Sequence, residues 1–360
     1  MIGVGGRLRA SLVVVEVALA LVLLIGAGLL ARSVWSLLAV DPGFDTAGRL
    51  AARVTLPGAD YHEDERIRSF WAALIERLDA NPAVAAAAAT SIMPMDAGDN
   101  DTSFRVEGMP EPDPSDPNVT WYRAVTAGYF ETIGMRLVAG RGFTARDRDG
   151  AEAVAVVNHT LVRRYLPGGD PVGRRIRFGS SGDGPWLTIV GVVAGVRQRG
   201  LGEPTVAELF APVLQRPRRS MMVVVSSTSS PPAALAPVLR SALRGLDPNL
   251  PIATPRPLDK VVLASVATPR LLMKMLVGFA ALALVLGRGA RLAGIGTLLG
   301  MAAVLAFGRL LQRKLYQVSP ADPITLVGTA ALLLLAALAA CWLPARRAAR
   351  LDPVIALREE

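Results

Sequence analysis

The chain has 360 residues, of which 52% are hydrophobic, with a single cysteine and a formal net charge of +9. Its apolar residues are piled into one N-terminal run and the C-terminal fifth of the chain, which excludes a uniformly soluble protein and indicates a membrane protein with a large soluble insert. Many arginines flank the apolar runs, where they serve as orientation signals, and no zinc-finger spacing or RNA-binding aromatic motif accompanies them, so nucleic acid is not an expected partner.

Residues 1–10 carry Arg7 and Arg9 and are read as a cytoplasmic N-terminus. Residues 11–38 follow as a first transmembrane helix, with membrane lipid as its surroundings. Between Ser11 and Ala31 only Glu16 is charged, the run is longer than a secretory signal core, and no small-residue cleavage site follows it. Trp35 has the character of an interfacial anchor. Glu16 is a candidate functional residue, because an ionised carboxylate in a span is unfavourable without a partner. The plainer reading favoured here puts it about two turns from the cytoplasmic end, packed protonated or hydrogen-bonded against a neighbouring helix. Gly26 and Gly28 mark a face that another helix can approach closely.

Residues 41–268 regain charged and polar residues and contain no run of spanning length, so they are read as one periplasmic domain. A strand is expected over 49–56 and a helix over 64–79, whose Ile67, Phe70, Trp71, Leu74, Ile75 and Leu78 recur at helical spacing. The alanine run in 84–92 has no useful periodicity and leaves strand and helix both open. Residues 96–117, rich in Asp, Gly and Pro, read as a mobile surface loop. Strands at 119–124, 153–157, 174–178 and 187–197, with short helices at 127–133 and 161–165, then make a compact α+β module. A strand at 221–226, an amphipathic helix at 232–246 and a short strand at 251–253 precede the segment 258–267, which leads back to the membrane. The strand-helix-strand order of the two flanking segments suggests a membrane-proximal lobe of residues 45–118 plus 219–268, with an inserted lobe of residues 119–218.

A short second transmembrane helix is assigned to 271–287, where Lys274 and Arg288 must snorkel because the sixteen residues of its apolar run, 271–286, reach only about 24 Å as helix. A third is assigned to 292–311, with Gly294, Gly296 and Gly300 permitting close packing, and a fourth to 325–343, which holds no charged residue. Arg346, Arg347 and Arg350 open a cytoplasmic tail of residues 344–360. Arg309, Arg313 and Lys314 oppose this topology at the outer end of the third helix. The expected fold class is therefore a membrane α-helical protein, with about four transmembrane helices and a large α+β periplasmic domain of two lobes, multi-pass in the bacterial inner (plasma) membrane.

Nothing in the sequence points to catalysis. The stretch nearest to a phosphate loop, Gly168-Gly-Asp-Pro-Val-Gly-Arg-Arg175, lacks the lysine and the hydroxyl. No nucleophile elbow, zinc-protease helix or carboxylate cluster is present. Asp96 to Asp101 with Glu107 has a faint calcium-loop spacing, but Gly98 offers no side-chain ligand and Asp101 sits where the turn requires glycine. His62 and His159 have no partner at metal-ligand spacing, and Cys341 stands alone. No catalytic, cofactor-binding or metal-binding residue and no cofactor is assigned, and the chain is not expected to be an enzyme.

Several stretches, spread in order over nearly the whole chain, resemble the MacB/FtsX-like ABC permease family. They include the first helix with Val40-Asp-Pro-Gly-Phe-Asp45, and Gly128-Tyr-Phe-Glu-Thr-Ile-Gly-Met-Arg-Leu-Val-Ala-Gly-Arg-Gly-Phe143. The segments 157–176, Ile189-Val-Gly-Val-Val-Ala-Gly-Val-Arg197, Leu315-Tyr-Gln-Val-Ser-Pro-Ala-Asp-Pro323 and 344–358 continue the match. The likeness is to the C-terminal half of the duplicated permeases of soil bacteria. It implies four membrane helices, a two-lobed periplasmic domain, and a homo- or hetero-dimer with another permease half. It also implies a separate cytoplasmic ABC ATPase subunit, whose nucleotide-driven closure is converted into periplasmic motion. The cytoplasmic segment that docks on the ATPase in this family is missing after Leu286, which runs almost directly into Gly287-Arg-Gly-Ala-Arg291. Two readings therefore stand beside an exporter or mechanotransmission permease: a membrane-anchored periplasmic binding or scaffold module, and a degraded permease fragment, both uncoupled from ATP.

Overall fold

The computed structural model describes residues 4–96, 100–111, 113, 115–179, 184–227, 231–265, 275–276 and 327–329. It divides into two compact units, residues 1–40 with 266–360, and residues 41–265. In the first unit, α1 runs over Val4–Leu38, a single helix of 35 residues. Within it, Leu21–Leu38 is long and apolar enough to cross a membrane, and Trp35 is exposed. Apart from two short pieces, the helices expected at 271–287, 292–311 and 325–343, and the tail at 344–360, lie outside the described residues.

Among the described residues the second unit carries eleven strands. After β1 (Arg49–Thr55) comes α2 (Asp64–Asp79), which buries Ile67, Phe70, Trp71, Leu74 and Leu78. Asp64 and Glu65 in its first turn and Arg77 in its last complement the helix dipole. The alanine run resolves as a strand, β2 (Val84–Thr90). Its small side chains let both faces be covered closely, Ala87 and Ala89 packing on one side and Ala88 on the other. The strand β3 (Asp101–Val106) occupies residues expected to be loop. Acidic and polar side chains hid it, yet Phe104 and Val106 are buried at a spacing of two, and it is laddered on both edges.

Next come β4 (Val119–Val125), α3 (Tyr129–Thr132) and β5 (Leu137–Gly140), followed by β6 (Val154–Asn158) and α4 (His159–Tyr165). The strands β7 (Arg175–Phe178), β8 (Leu187–Val193) and β9 (Glu208–Pro212) complete this part. Then follow β10 (Ser220–Ser227), a 3-10 turn at Pro232–Ala234, α5 (Leu235–Arg244), β11 (Arg256–Pro257) and α6 (Leu258–Ser265). The strand expected at 251–253 is reduced to one bridge, Ile252 with Val54, and the one expected at 187–197 stops at Val193.

Two assemblies share one strand. In the first, β11, β1, β10 and β2 lie side by side, with β1, β10 and β2 joined by long antiparallel ladders. One face of that sheet is covered by α2 and α5 through Trp71, Leu74, Leu239 and Leu243. In the second, the pairings run β4, β3, β7, β8, β6, β9 and return to β4, closing a ring of six strands. Phe104, Tyr122, Val157, Ile176, Ile189 and Leu209, one from each strand, converge in one apolar cluster, as the interior of a small barrel requires. The first residues of β4 pair with β3, and its last, Val125, pairs with Thr90 of β2. β4 thus belongs to the ring along its length, through β9, and also joins the sheet at its last residue.

Glycines set the path of the segment 128–143. Gly140 has φ +69, and a Cβ there would lie 2.2 Å from the Val190 carbonyl oxygen, so β5 approaches β8 at backbone distance. Gly140→Ala is expected to destabilise the full chain by more than about 1 kcal/mol, read as a lower midpoint in thermal unfolding followed by tryptophan fluorescence. An unchanged midpoint would contradict the close approach.

Candidate functional site

The site with the most unusual electrostatics lies where sheet and ring meet. Arg123 stands in β4 and Glu208 opens β9, its parallel neighbour. Their side chains are 1% and 0% exposed, with Arg123 Nε 3.8 Å from Glu208 Oε1. Both point away from the ring interior, since their strand neighbours Tyr122, Ala124 and Leu209 fill it.

The carboxylate is held from two further elements. Gln198, in the loop after β8, donates from Nε2 to Glu208 Oε1 at 2.6 Å. Asn158, at the end of β6, donates from Nδ2 to Glu208 Oε2 at 3.3 Å and to the Val206 carbonyl at 2.7 Å. The Asn158 Oδ1 accepts from the backbone N–H of Glu208 at 3.0 Å and from that of Leu161 at 2.9 Å, so one side chain caps α4 and fixes β9. Arg123 donates to the Tyr122 carbonyl at 3.3 Å and to Gln198 Oε1 at 3.4 Å, and stacks on Trp121.

The cluster reaches into the sheet. Tyr129 of α3 is buried, and burial raises its hydroxyl pKa; Thr90 of β2, Glu208 and Arg123 are the neighbours that act on it. The Gln198 carbonyl accepts the N–H of Met95, just beyond β2, at 2.9 Å. The backbone N–H of Ser91 donates to the Ala124 carbonyl at 2.8 Å, and that of Thr126 to Ala89 at 2.9 Å. These groups bind the two assemblies through a desolvated polar knot.

Burial is the dominant influence on Glu208 and pushes its pKa up from 4.5 to about 7, against the opposing pull of Arg123, Gln198 and Asn158. An ion pair this dry is only marginally favourable, and removal of one partner strands the other. The arrangement suits a joint held in one geometry.

The residues singled out in the sequence lie elsewhere. Glu16 falls in α1. His62 is exposed with Nε2 3.6 Å from Glu63, and His159 is exposed at the start of α4. Asp96 pairs with Arg53 at 2.5 Å, Asp101 opens β3, and Glu107 accepts from Arg175 Nε at 2.6 Å, so Asp96 and Glu107 are engaged by arginines. Among the described residues no group of three or more His, Cys, Asp or Glu is placed to hold a metal. Neither Arg123 nor Glu208 belongs to a motif; the signal the sequence offers is a charged residue among the mainly apolar ones of 119–125 and at the head of the apolar run 209–212.

Residues 12–240 match the MacB-like periplasmic core domain. The chain belongs to the MacB/FtsX-like permease family. Members of this permease family are transporter components that work with ABC ATPase partners. The periplasmic region of MacB from Actinobacillus actinomycetemcomitans is similar at 13% identity and a TM-score of 0.43, over 64% of this chain and 97% of that one. The extracellular domain of the noncanonic ABC-type transporter YknZ from Gram-positive bacteria is similar at 15% identity and a TM-score of 0.36, over 56% and 94%. A domain of a putative permease protein from Porphyromonas gingivalis gives 15% and 0.37, over 59% and 92%. No curated protein matches this permease significantly.

The folded permease holds the Glu208 proton up to about pH 7, whereas the unfolded chain releases it near pH 4.5. Folding therefore takes up a proton between these values. Stability contributed by this group falls as pH rises through that window, by at most about 1.4 kcal/mol per pH unit, and levels off above it. Glu208→Gln is expected to remove that slope, so the wild-type minus variant difference in thermal midpoint should shrink or reverse from about pH 5 to about pH 8. Parallel pH profiles would show that Glu208 does not titrate there.

Proposed function

We propose that the chain is a permease subunit of an ABC-type exporter or mechanotransmission system, coupling a separate cytoplasmic ATPase to motion of its periplasmic domain. The observation that carries this reading is the match of residues 12–240 to the MacB-like periplasmic core domain, which runs from the first apolar helix well into the sheet-and-ring domain. In this reading the chain crosses the bacterial inner membrane four times, with residues 41–268 periplasmic, and pairs with another permease half. That partner half supplies the docking segment that the sequence lacks between Leu286 and Arg291.

The buried joint supports a mechanical role. A motion entering at the ends of the domain, near Asp41 or Ser265, reaches the sheet through β1 and its neighbours β10 and β11. It reaches the ring through β4, whose alignment with β9 is fixed by Arg123, Glu208, Asn158 and Gln198. Packed elements with few alternative arrangements pass displacement on instead of absorbing it. The reading assigns no catalytic residue to this chain; the energy of nucleotide hydrolysis enters from the partner.

The test is purification of the full chain from its own membrane. An ATPase subunit and a second permease half are expected to accompany it, and ATP is expected to change hydrogen exchange in β4 and β9. Recovery with neither partner would sink the permease reading, and partners without any ATP-dependent change would leave a scaffold.

A further inference from the structure

A cavity of about 640 Å³ opens in the domain between β1, the segment after β2, and α6. Its size falls within the range of small-molecule sites, about 300–1,000 Å³. The apolar part of its lining is soft. Met93 and Leu258 are buried, and Met95, Met222 and Val261 are half-buried. Unbranched, polarizable methionines adapt to flexible apolar chains of varied shape.

The charged lining is one-sided. Arg53, Arg199, Arg256 and Lys260 face a single carboxylate, Asp96, which Arg53 already holds at 2.5 Å. Arg256 and Lys260 are exposed and make no ion pair among the described residues. Apolar lining with a cationic rim is complementary to a molecule with an apolar tail and an anionic head.

The backbone beside the cavity is strained. Met95 has φ +62, the one non-glycine residue with positive φ among those described. Left-handed backbone at a bulky residue persists only where the surroundings over-determine it, and such strain gathers at ligand sites. Here the Met95 N–H is fixed by the Gln198 carbonyl at 2.9 Å. A second cavity, of about 770 Å³ beside α2, has no methionine in its lining and sets Glu65 and Asp149 against Arg68, Arg146 and Arg148, with Arg68 engaged by Asp149 at 3.3 Å and by the Leu214 carbonyl at 2.9 Å.

We infer that the cavity binds a single-chain amphiphile with an anionic phosphate head, its chain against the methionines and its head between Arg256 and Lys260. The inference stands apart from coupling to an ATPase. It has a route to the buried joint, since Gln198 both anchors Met95 and donates to Glu208.

The full chain in phosphatidylcholine nanodiscs is titrated with radiolabelled dodecyl phosphate, with empty nanodiscs subtracted. Saturable binding is expected. Charge reversal at the rim, Arg256→Glu with Lys260→Glu, is expected to weaken it by at least about tenfold. Arg240→Glu, an exposed cation on α5 outside the cavity, is expected to leave it unchanged. The proposal is overturned by a lack of saturation, or by a folded rim variant that binds like wild type. It is equally overturned if dodecanol or inorganic phosphate displaces the probe as well as unlabelled dodecyl phosphate does, which marks a plain apolar hole or a plain anion site. Should the rim variant fail to fold, this competition decides alone.

Discussion

A carboxyl group taken fully out of water must be matched by partners or protonated, and in this domain that constraint falls on Glu208. Four elements converge to meet it: β4 with Arg123, β6 with Asn158, β9 itself, and the loop that brings Gln198. The apolar clusters can tolerate some rearrangement, because dispersion and burial are non-directional. Hydrogen bonds to a dry carboxylate are directional and admit few alternatives. The relative placement of β4 and β9 is therefore specified more narrowly by these polar groups than by the surrounding valines and alanines.

That specification matters because β4 has neighbours from both assemblies. Its opening residues complete the ring beside β3, and its end joins β2 of the sheet. A ring with pairing all round has no free edge there along which to slip. The sheet, with α2 and α5 on one face, is likewise packed through its β1, β10 and β2 strands. The two bodies are joined by β4 and by one apolar cluster that packs Ala51, Ala88 and Val224 of the sheet against Val156, Val193 and Phe210 of the ring, and the Arg123–Glu208 knot lies beside that joint.

Legibility in the sequence followed the strength of local periodicity. The helix α2 was readable to its ends, because its apolar residues recur at helical spacing between an acidic first turn and Asn81-Pro82. The β-branched run marked the start of β8, but the strand ends at Val193, short of the expected 197. Three strands were not readable. β3 begins with Asp, Thr and Ser, β5 is four residues ending in glycine, and β9 is five residues holding a glutamate and a proline. Each is stabilised by neighbours distant in sequence rather than by its own composition. The same holds for the site. Asn158 and Glu208 are 50 positions apart, and no spacing rule connects them; only the closing of the ring does. The calcium-like spacing from Asp96 to Glu107 shows the converse, a local pattern whose Asp101 lies in β3 and whose Asp96 and Glu107 are taken by Arg53 and Arg175.

The order of strands also has a consequence for how the chain acquires its structure. The ladder partners of β1 are β10 and β11, which begin at Ser220 and Arg256. A chain emerging from its N-terminal end thus presents β1 long before anything that can cover its edges. The intervening ring can close first, since all its strands lie between Asp101 and Pro212. Contacts of such long sequence separation form slowly, and an unpaired strand in the meantime is open to wrong partners. Folding of this domain is then a matter of timing: the ring can be finished early, and the sheet must wait for the end of the domain to return to its beginning.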